Sequence, residues 1–210
     1  MTGPHLVYVA DPMCSWCWGF APVIAAIRGQ FGTALPIRLV MGGLRPGTMK
    51  PLDDAGKAII REHWEHVQKA SGQPFDFSFF DRESFVYDTE PAAQALVVVR
   101  RRGMELALDY LEAVQYAFYA KNCDVTDAEV LVGIAARLGI DWQGFIEEFS
   151  DEGAKRETWT DFAIAQQAGI RGFPTLLAGV RTGDPYAVVT HGYQPAGRIL
   201  PNLSAWLDAV

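Results

Sequence analysis

The hydrophobic pattern of the first 47 residues predicts a strand, a helix and a second strand. Residues 6–10 form a short apolar run with β-branched and aromatic members, which is typical of a buried strand. Residues 17–31 read as a helix that ends at Gly32, a residue type that commonly terminates helices. Residues 37–40 form the next apolar run. This order of elements favours a parallel βαβ unit.

The middle of the chain has a helical pattern throughout. Thr126 and Glu129 have the spacing of a capping box and predict the start of one helix. Apolar residues recur at helical spacing in five segments, namely residues 54–69, 91–101, 111–118, 130–138 and 142–149.

Strand signals return near the end of the chain. Residues 161–168 predict a helix, and residues 175–180 and 187–189 predict a hairpin with its turn at residues 182–185. Pro195 begins a last helix. Strands at both ends and a helical block between them indicate one α/β domain that is interrupted by an insertion.

The amino-acid composition excludes several classes of protein. The chain has 210 residues, of which 50% are hydrophobic, with three cysteines and a net charge of −7. These values exclude a disordered chain and a disulfide-stapled miniprotein, and they argue against a partner such as nucleic acid. No run approaches the roughly 20 apolar residues of a membrane span. Because residues 1–11 lack the basic start of a secretory signal, we expect a cytoplasmic protein without structural disulfides.

Cys14 and Cys17 form a C-x-x-C motif where the first strand meets the first helix. At a helix start this spacing places both sulfurs on one side, where a disulfide can close and free N–H groups face Cys14. The helix dipole supplies only about 0.3–1 kcal/mol, so a strongly acidic Cys14 would also need direct hydrogen bonds. A zinc site would need about four ligands, and the chain has no second C-x-x-C, so we predict no metal site. We therefore interpret the pair as redox-active.

Two segments resemble a known family. Residues 11–20, with the sequence DPMCSWCWGF, resemble the active-site segment of the DsbA-like branch of thioredoxin-fold proteins. Residues 172–175, with the sequence GFPT, are similar to the loop that carries a cis-proline facing the cysteines in that family. Residues 42–44 and 122–127 are similar to a cytoplasmic subgroup described as disulfide oxidoreductases or isomerases.

The resemblance implies an α/β, thioredoxin-like fold with a helical domain inserted after the first βαβ unit. Residues 1–47 and 156–210 would then form a discontinuous redox domain, and residues 48–155 would form the helical insertion. The implied activity is that of a thiol–disulfide oxidoreductase, acting as a reductase or isomerase. Its partners would be thiol or disulfide proteins or glutathione. It would need no cofactor besides the Cys14–Cys17 disulfide, with glutathione as a candidate co-substrate.

The resemblance also implies roles for individual residues. Cys14 would be the attacking thiol and Cys17 the resolving thiol, with Pro174 in the cis form against the pair. The backbone of Phe173 would pair with an extended substrate peptide. The predicted substrate-binding residues are Ser15, Trp16, Phe173 and Thr175.

The sequence departs from the family pattern at two places. Tyr8 stands six residues before Cys14, where thioredoxin-like enzymes often carry a buried acid that moves a proton from the resolving thiol. The dipeptide Ser15-Trp16 lacks the histidine of the strongly oxidising members. This favours a reduction potential nearer about −200 to −270 mV than about −120 mV.

Three alternatives stay open from the sequence alone. Glutathione transferases of the kappa type and hydroxychromene carboxylate isomerases use one Ser or Cys at the same helix start, and the second cysteine argues against them. A non-enzymatic adaptor that presents a partner to a protease is the third class. Cys123 is either an incidental thiol in a polar loop or a second resolving thiol for Cys14.

Overall fold

A four-stranded mixed sheet is formed by β1 (Thr2–Ala10), β2 (Ile37–Met41), β3 (Thr175–Arg181) and β4 (Ala187–His191), in the order β2–β1–β3–β4. The structure is a computed structural model and describes residues 2–210. Strand β1 (Thr2–Ala10) leads into helix α1 (Ser15–Phe31), and the chain returns as β2 (Ile37–Met41). Strands β1 and β2 are parallel. The predicted βαβ unit is therefore confirmed.

The last third of the chain completes the sheet with an antiparallel hairpin. Helix α7 (Glu152–Gln167) leads into β3 (Thr175–Arg181), which pairs antiparallel with β1. Strand β4 (Ala187–His191) pairs antiparallel with β3, as the sequence predicts, and helix α8 (Ala196–Asp208) ends the fold. The segment with Cys14 and Cys17 follows β1, and the residues around Pro174 precede β3. Because β1 and β3 are antiparallel neighbours, both segments lie at the same end of these two strands.

Helices fill the chain between β2 and α7. None of the helices in residues 2–210 is long and apolar enough to cross a membrane. The predicted boundary at residue 156 falls inside α7, so the division into 1–47, 48–155 and 156–210 stays a prediction. The elements of this block are α2 (Asp54–Ser71), a 3-10 helix (Phe77–Asp81), α3 (Glu90–Arg100), α4 (Met104–Lys121), α5 (Ala128–Arg137) and α6 (Trp142–Phe149).

The capping box predicted for the helix now called α5 is wrong. Asp127 is the N-cap, and its side chain accepts a hydrogen bond from the backbone N–H of Glu129. The hydroxyl of Thr126 donates to Asp124 at 2.6 Å and is not free to cap. Asp caps a helix as well as Ser or Thr does. The hydrogen bond from Thr126 to Asp124 therefore leaves Asp127, and not Thr126, as the N-cap.

A buried ion pair ties the helical block to the sheet. Arg100 on α3 pairs with Asp161 on α7, and the side chains are only 15% and 6% exposed. The Asp161 carboxylate also accepts from the N–H of Met41, and Arg100 donates to the carbonyl of Leu39. Because both partners also bind the backbone of β2, the pair fixes the helices against the strand that precedes the Gly42-Gly43 turn.

Candidate active site

The two cysteines lie at the start of α1 with different exposure. Cys14 is the N-cap residue with extended backbone, and its N–H donates to the Asp11 carbonyl at 3.1 Å. Cys14 is 6% exposed and Cys17 is fully buried, and both are free thiols. Cys14 is therefore the more accessible of the two.

The predicted proline loop faces Cys14. The Phe173–Pro174 peptide bond is cis, and the Cys14 thiol lies 3.6 Å from the Phe173 carbonyl oxygen. Cys14 makes no side-chain hydrogen bond to the N–H groups of α1. A protonated thiol is a donor, so it points to the carbonyl instead of the helix N–H groups that the sequence analysis invoked.

Gly42 makes room for this loop. A Cβ atom on Gly42 would lie 2.1 Å from the Phe173 ring, which no real contact allows. The ring thus packs directly against the turn that follows β2. Gly42 is therefore needed to hold Phe173 beside Cys14.

A cleft of about 220 Å³ opens over Cys14. Ser15 and Trp16 line it and are half-buried, and Phe173 forms part of its wall. Thr175 is fully buried, donates to the Gly172 carbonyl at 2.8 Å, and is not among the lining residues. The structure therefore brings three of the four predicted substrate-binding residues to the cleft.

Two basic side chains also line the cleft. Arg45 comes from the loop after β2 and His63 from α2, and both are exposed. Among the described residues that line the cleft, none is Asp or Glu. In a chain with a net charge of −7, this cleft is a locally basic place beside the reactive sulfur. Neither residue can be assigned to the site from the sequence, because only the fold brings them to Cys14.

Asp11 is a buried acid in the active-site segment that the sequence analysis did not single out. Its carboxylate accepts from the N–H groups of Met13 at 2.9 Å and Leu44 at 2.7 Å. Burial raises the pKa of Asp11 to about 6, and the two N–H groups partly oppose that shift. Asp11 thereby joins the cysteine segment to the loop after β2. An Asp-Pro pair at a strand end is the turn signal that would have found it.

The buried thiol of Cys17 is held in its neutral form. Burial raises the pKa of Cys17 well above its usual value, and the neighbouring Cys14 adds to the effect. Tyr8 lies beside Cys17, and burial together with the two cysteines raises the pKa of the Tyr8 hydroxyl. A thiol must lose its proton before it attacks, so Cys17 needs a proton acceptor when it acts.

The other candidate residues lie away from the sulfurs. Cys123 sits in the loop between α4 and α5, with its thiol 3.8 Å from the Lys121 carbonyl. Cys14 contacts Cys17 and the Phe173 carbonyl, and a role for Cys123 in resolution stays a prediction. Within residues 2–210, no group of three or more His, Cys, Asp or Glu side chains is placed to hold a metal ion.

Comparison with known proteins adds a family to this geometry. The family model described as a DSBA-like thioredoxin domain matches residues 5–194. The chain belongs to the DSBA-like thioredoxin domain family. Membership agrees with the resemblance of residues 11–20 and 172–175, and the fold is the thioredoxin-like fold with a helical insertion that the sequence predicts.

Two solved structures similar to this DSBA-like chain are named as disulfide isomerase and disulfide reductase. A candidate protein disulfide isomerase of Nitrosomonas europaea is 38% identical, with a TM-score of 0.90 over 99% of this chain and 98% of that one. The cytosolic disulfide reductase DsbM of Pseudomonas aeruginosa is 28% identical, with a TM-score of 0.74 over 97% and 95% of the two chains. These neighbours support an oxidoreductase class.

Curated relatives of the DSBA-like chain have a different assignment. The ClpXP adapter protein SpxH of Bacillus subtilis is 24% identical over 175 residues, which are 82% of this chain and 58% of the relative. The chain thus spans about three fifths of the length of the curated relatives it matches. A 2-hydroxychromene-2-carboxylate isomerase is 16% identical with a TM-score of 0.64 over 96% and 94% of the two chains, and it shares the fold alone.

Proposed function

We propose that this protein is a thiol–disulfide oxidoreductase that acts through a mixed disulfide at Cys14. The observation that carries the proposal is the Cys14 thiol at a helix start, 3.6 Å from the carbonyl that precedes a cis-proline, at the floor of an open cleft. The buried Cys17 beside it supplies the resolving thiol.

The reaction follows from the two thiols. The Cys14 thiolate attacks one sulfur of a substrate disulfide, and the second substrate sulfur leaves as a thiolate that takes up a proton. The Cys17 thiolate then attacks the Cys14 sulfur and releases the first substrate sulfur. The substrate leaves with two thiols, and the protein holds a Cys14–Cys17 disulfide. Oxidation of a dithiol runs through the same steps in reverse.

The surfaces beside Cys14 suit an extended substrate peptide. The Phe173 backbone borders the cleft, where it can pair with a peptide strand. A second groove of about 410 Å³ begins on the other side of Phe173 and is lined by apolar residues such as Trp159 and Phe162. A substrate peptide fits this arrangement with its own cysteine at Cys14 and its flanking residues in the cleft and in the second groove.

Glutathione is the reductant that the cleft supports best. Arg45 and His63 are placed to meet the carboxylates of a small acidic thiol beside Cys14. The DsbM structure solved with GSH is 27% identical to this chain. Glutathione thiolate would attack the Cys14–Cys17 disulfide, and a second glutathione would complete the reduction as oxidised glutathione leaves. The cytosolic location of DsbM supports a cytoplasmic location for this chain.

Alanine variants of the three cysteines test the proposal. Cys14→Ala should abolish glutathione-driven insulin reduction, whereas Cys123→Ala, a matched control, should keep it. When treated with oxidised glutathione, Cys17→Ala should form a stable glutathione adduct at Cys14 and release one reduced glutathione, and the adduct is visible by intact-protein mass spectrometry. Full insulin reduction by Cys14→Ala would refute the mechanism. Full activity in Cys17→Ala would indicate the one-cysteine chemistry of the glutathione transferases.

The SpxH relatives favour a second candidate function, that of an adaptor for a protease. An adaptor needs a binding surface and not a redox pair. If the chain is an adaptor, the double variant Cys14→Ala/Cys17→Ala should still accelerate degradation of a bound protein by purified ClpXP. If the double variant loses both the stimulation of degradation and the reduction of insulin, both activities depend on the thiols.

A further inference from the structure

Two residues that carry buried polar atoms without partners line one small cavity. Within residues 2–210, three buried side-chain nitrogen or oxygen atoms lack a hydrogen-bond partner, and they belong to Tyr8, Trp64 and Gln115. Tyr8 and Gln115 line the same cavity between α1 and α4. Buried polar atoms in native proteins nearly always have a partner, which can be an ordered water. The coincidence of the Tyr8 hydroxyl and the Gln115 amide therefore points to a shared partner.

The size of this cavity matches a single water molecule. Its volume is about 10 Å³ for the centre of a water, close to the minimum that one water requires. A water also needs at least two polar partners, and the Tyr8 hydroxyl and the Gln115 amide supply them. The outer wall includes Arg28 and the exposed Glu112. The cavity thus leads from Tyr8 towards the surface.

One wall of the cavity, Tyr8, lies next to the resolving thiol. Tyr8 stands beside Cys17, and no protein atom completes a hydrogen bond of normal geometry with its hydroxyl. Asp11 is the other acid near Cys17, but its carboxylate oxygens accept from the N–H groups of Met13 and Leu44. The Tyr8 hydroxyl is therefore open to a water, whereas each Asp11 oxygen already accepts one backbone N–H.

We propose that one water fills this cavity, joins the Tyr8 hydroxyl to the Gln115 amide, and carries the proton of Cys17 towards solvent. The inference rests on the proposed oxidoreductase function and concerns its second step. Tyr8 is the group that touches the reacting thiol, and Gln115 is a positioning residue that holds the water. Together they take the place of the buried acid that related enzymes carry at the position of Tyr8.

The proton and the electron pair balance in this step. Cys17 gives its proton to the Tyr8 oxygen while Tyr8 passes its own proton to the water, so the phenol ends neutral. The water passes a proton outward past Glu112 and Arg28. The Cys17 thiolate forms a bond to the Cys14 sulfur, and the bond from Cys14 to the substrate breaks. The electron pair leaves on the substrate sulfur, which takes up a proton from solvent.

Reaction of the reduced Cys123→Ala protein with 5,5′-dithiobis-(2-nitrobenzoate) separates the two steps, because the partly exposed Cys123 thiol would otherwise release coloured thiolate as well. Attack by Cys14 releases a first coloured thiolate, and resolution by Cys17 releases a second. Tyr8→Phe should leave the first rate unchanged and slow the second at least about tenfold near neutral pH. Gln115→Met should slow the same step less. In both variants the rate of the second step should rise with pH over a wider range than in the wild type, because hydroxide from solvent must remove the Cys17 proton.

Tyr110→Phe is the matched control. It also removes a buried tyrosine hydroxyl, but that hydroxyl donates to the Leu131 carbonyl away from the cysteines. Both steps should keep their wild-type rates in this variant. An unchanged second step in Tyr8→Phe and Gln115→Met, or a dry cavity in a high-resolution crystal structure, would overturn the relay. Failure of the first step in the wild-type protein would instead refute the proposed function.

Discussion

The stability of the reduced protein should depend on the protonation of Asp11. Burial raises the pKa of Asp11 from 3.8 to about 6, so the folded state binds this proton more tightly than the unfolded state. One pKa unit corresponds to about 1.4 kcal/mol, and the shift therefore corresponds to about 3 kcal/mol. This stabilisation is fully present below pH 3.8 and is lost as the pH rises through about 6.

The perturbation that isolates this effect is Asp11→Asn. An amide has no charge to desolvate, so the variant should lose the pH dependence that Asp11 contributes. It also replaces one of the two carboxylate oxygens by an NH₂ group, which then faces the N–H of Met13 or of Leu44 and should cost about 1–3 kcal/mol at low pH. The variant should thus be less stable than the wild type near pH 4 and should match or exceed it near neutral pH.

Urea denaturation of the reduced protein at intervals between about pH 4 and pH 8 measures this effect. The difference in unfolding free energy between wild type and Asp11→Asn should change by about 3 kcal/mol across that range. Asp184→Asn, in the exposed turn between β3 and β4, should keep the wild-type pH dependence. A constant difference between wild type and Asp11→Asn would refute the claim that a buried carboxyl titrates in this segment.

Three further substitutions probe the frame around the site. Gly42→Ala should displace the Phe173 ring, which lies 2.1 Å from the new Cβ, and should lower insulin reduction at least about tenfold, because small misplacements of a reacting geometry are costly. Arg100→Met should leave Asp161 as an unpaired buried charge and lower the unfolding free energy in urea by about 3–5 kcal/mol. Asp53→Ala should remove the N-cap of α2 and lower the thermal midpoint by the equivalent of about 1 kcal/mol.

The first two of these substitutions each have a control elsewhere in the chain. Gly29→Ala places its Cβ in open space on α1, so activity should stay and stability should rise by up to about 1 kcal/mol. Arg198→Met, on the exposed side of α8, should change stability by less than about 0.5 kcal/mol. Normal activity in Gly42→Ala, or an unchanged urea midpoint in Arg100→Met, would contradict the packing described for β2 and its turn.

Much of the fold could be predicted from the sequence because its signals are local. Hydrophobic period, terminal glycines and turn residues act over a few positions, and they predicted the βαβ unit, the hairpin and most helices. The cap of α5 was missed because Thr126 and Asp127 are both good caps one residue apart. Only the observed bond from Thr126 to Asp124 decides between them.

The cysteine pair and its place at a helix start were determined by the sequence itself, since three residues of helix fix the spacing of Cys14 and Cys17. What lies around the sulfurs was decided by tertiary structure. The Phe173 carbonyl reaches Cys14 across 159 positions of the chain, and Arg45, His63 and Gln115 arrive from three other segments. Burial and cavities arise from the packing of separate segments against one another and are not properties of any single residue. For that reason the pKa of Asp11 and the cavity beside Tyr8 could not be read from the order of residues.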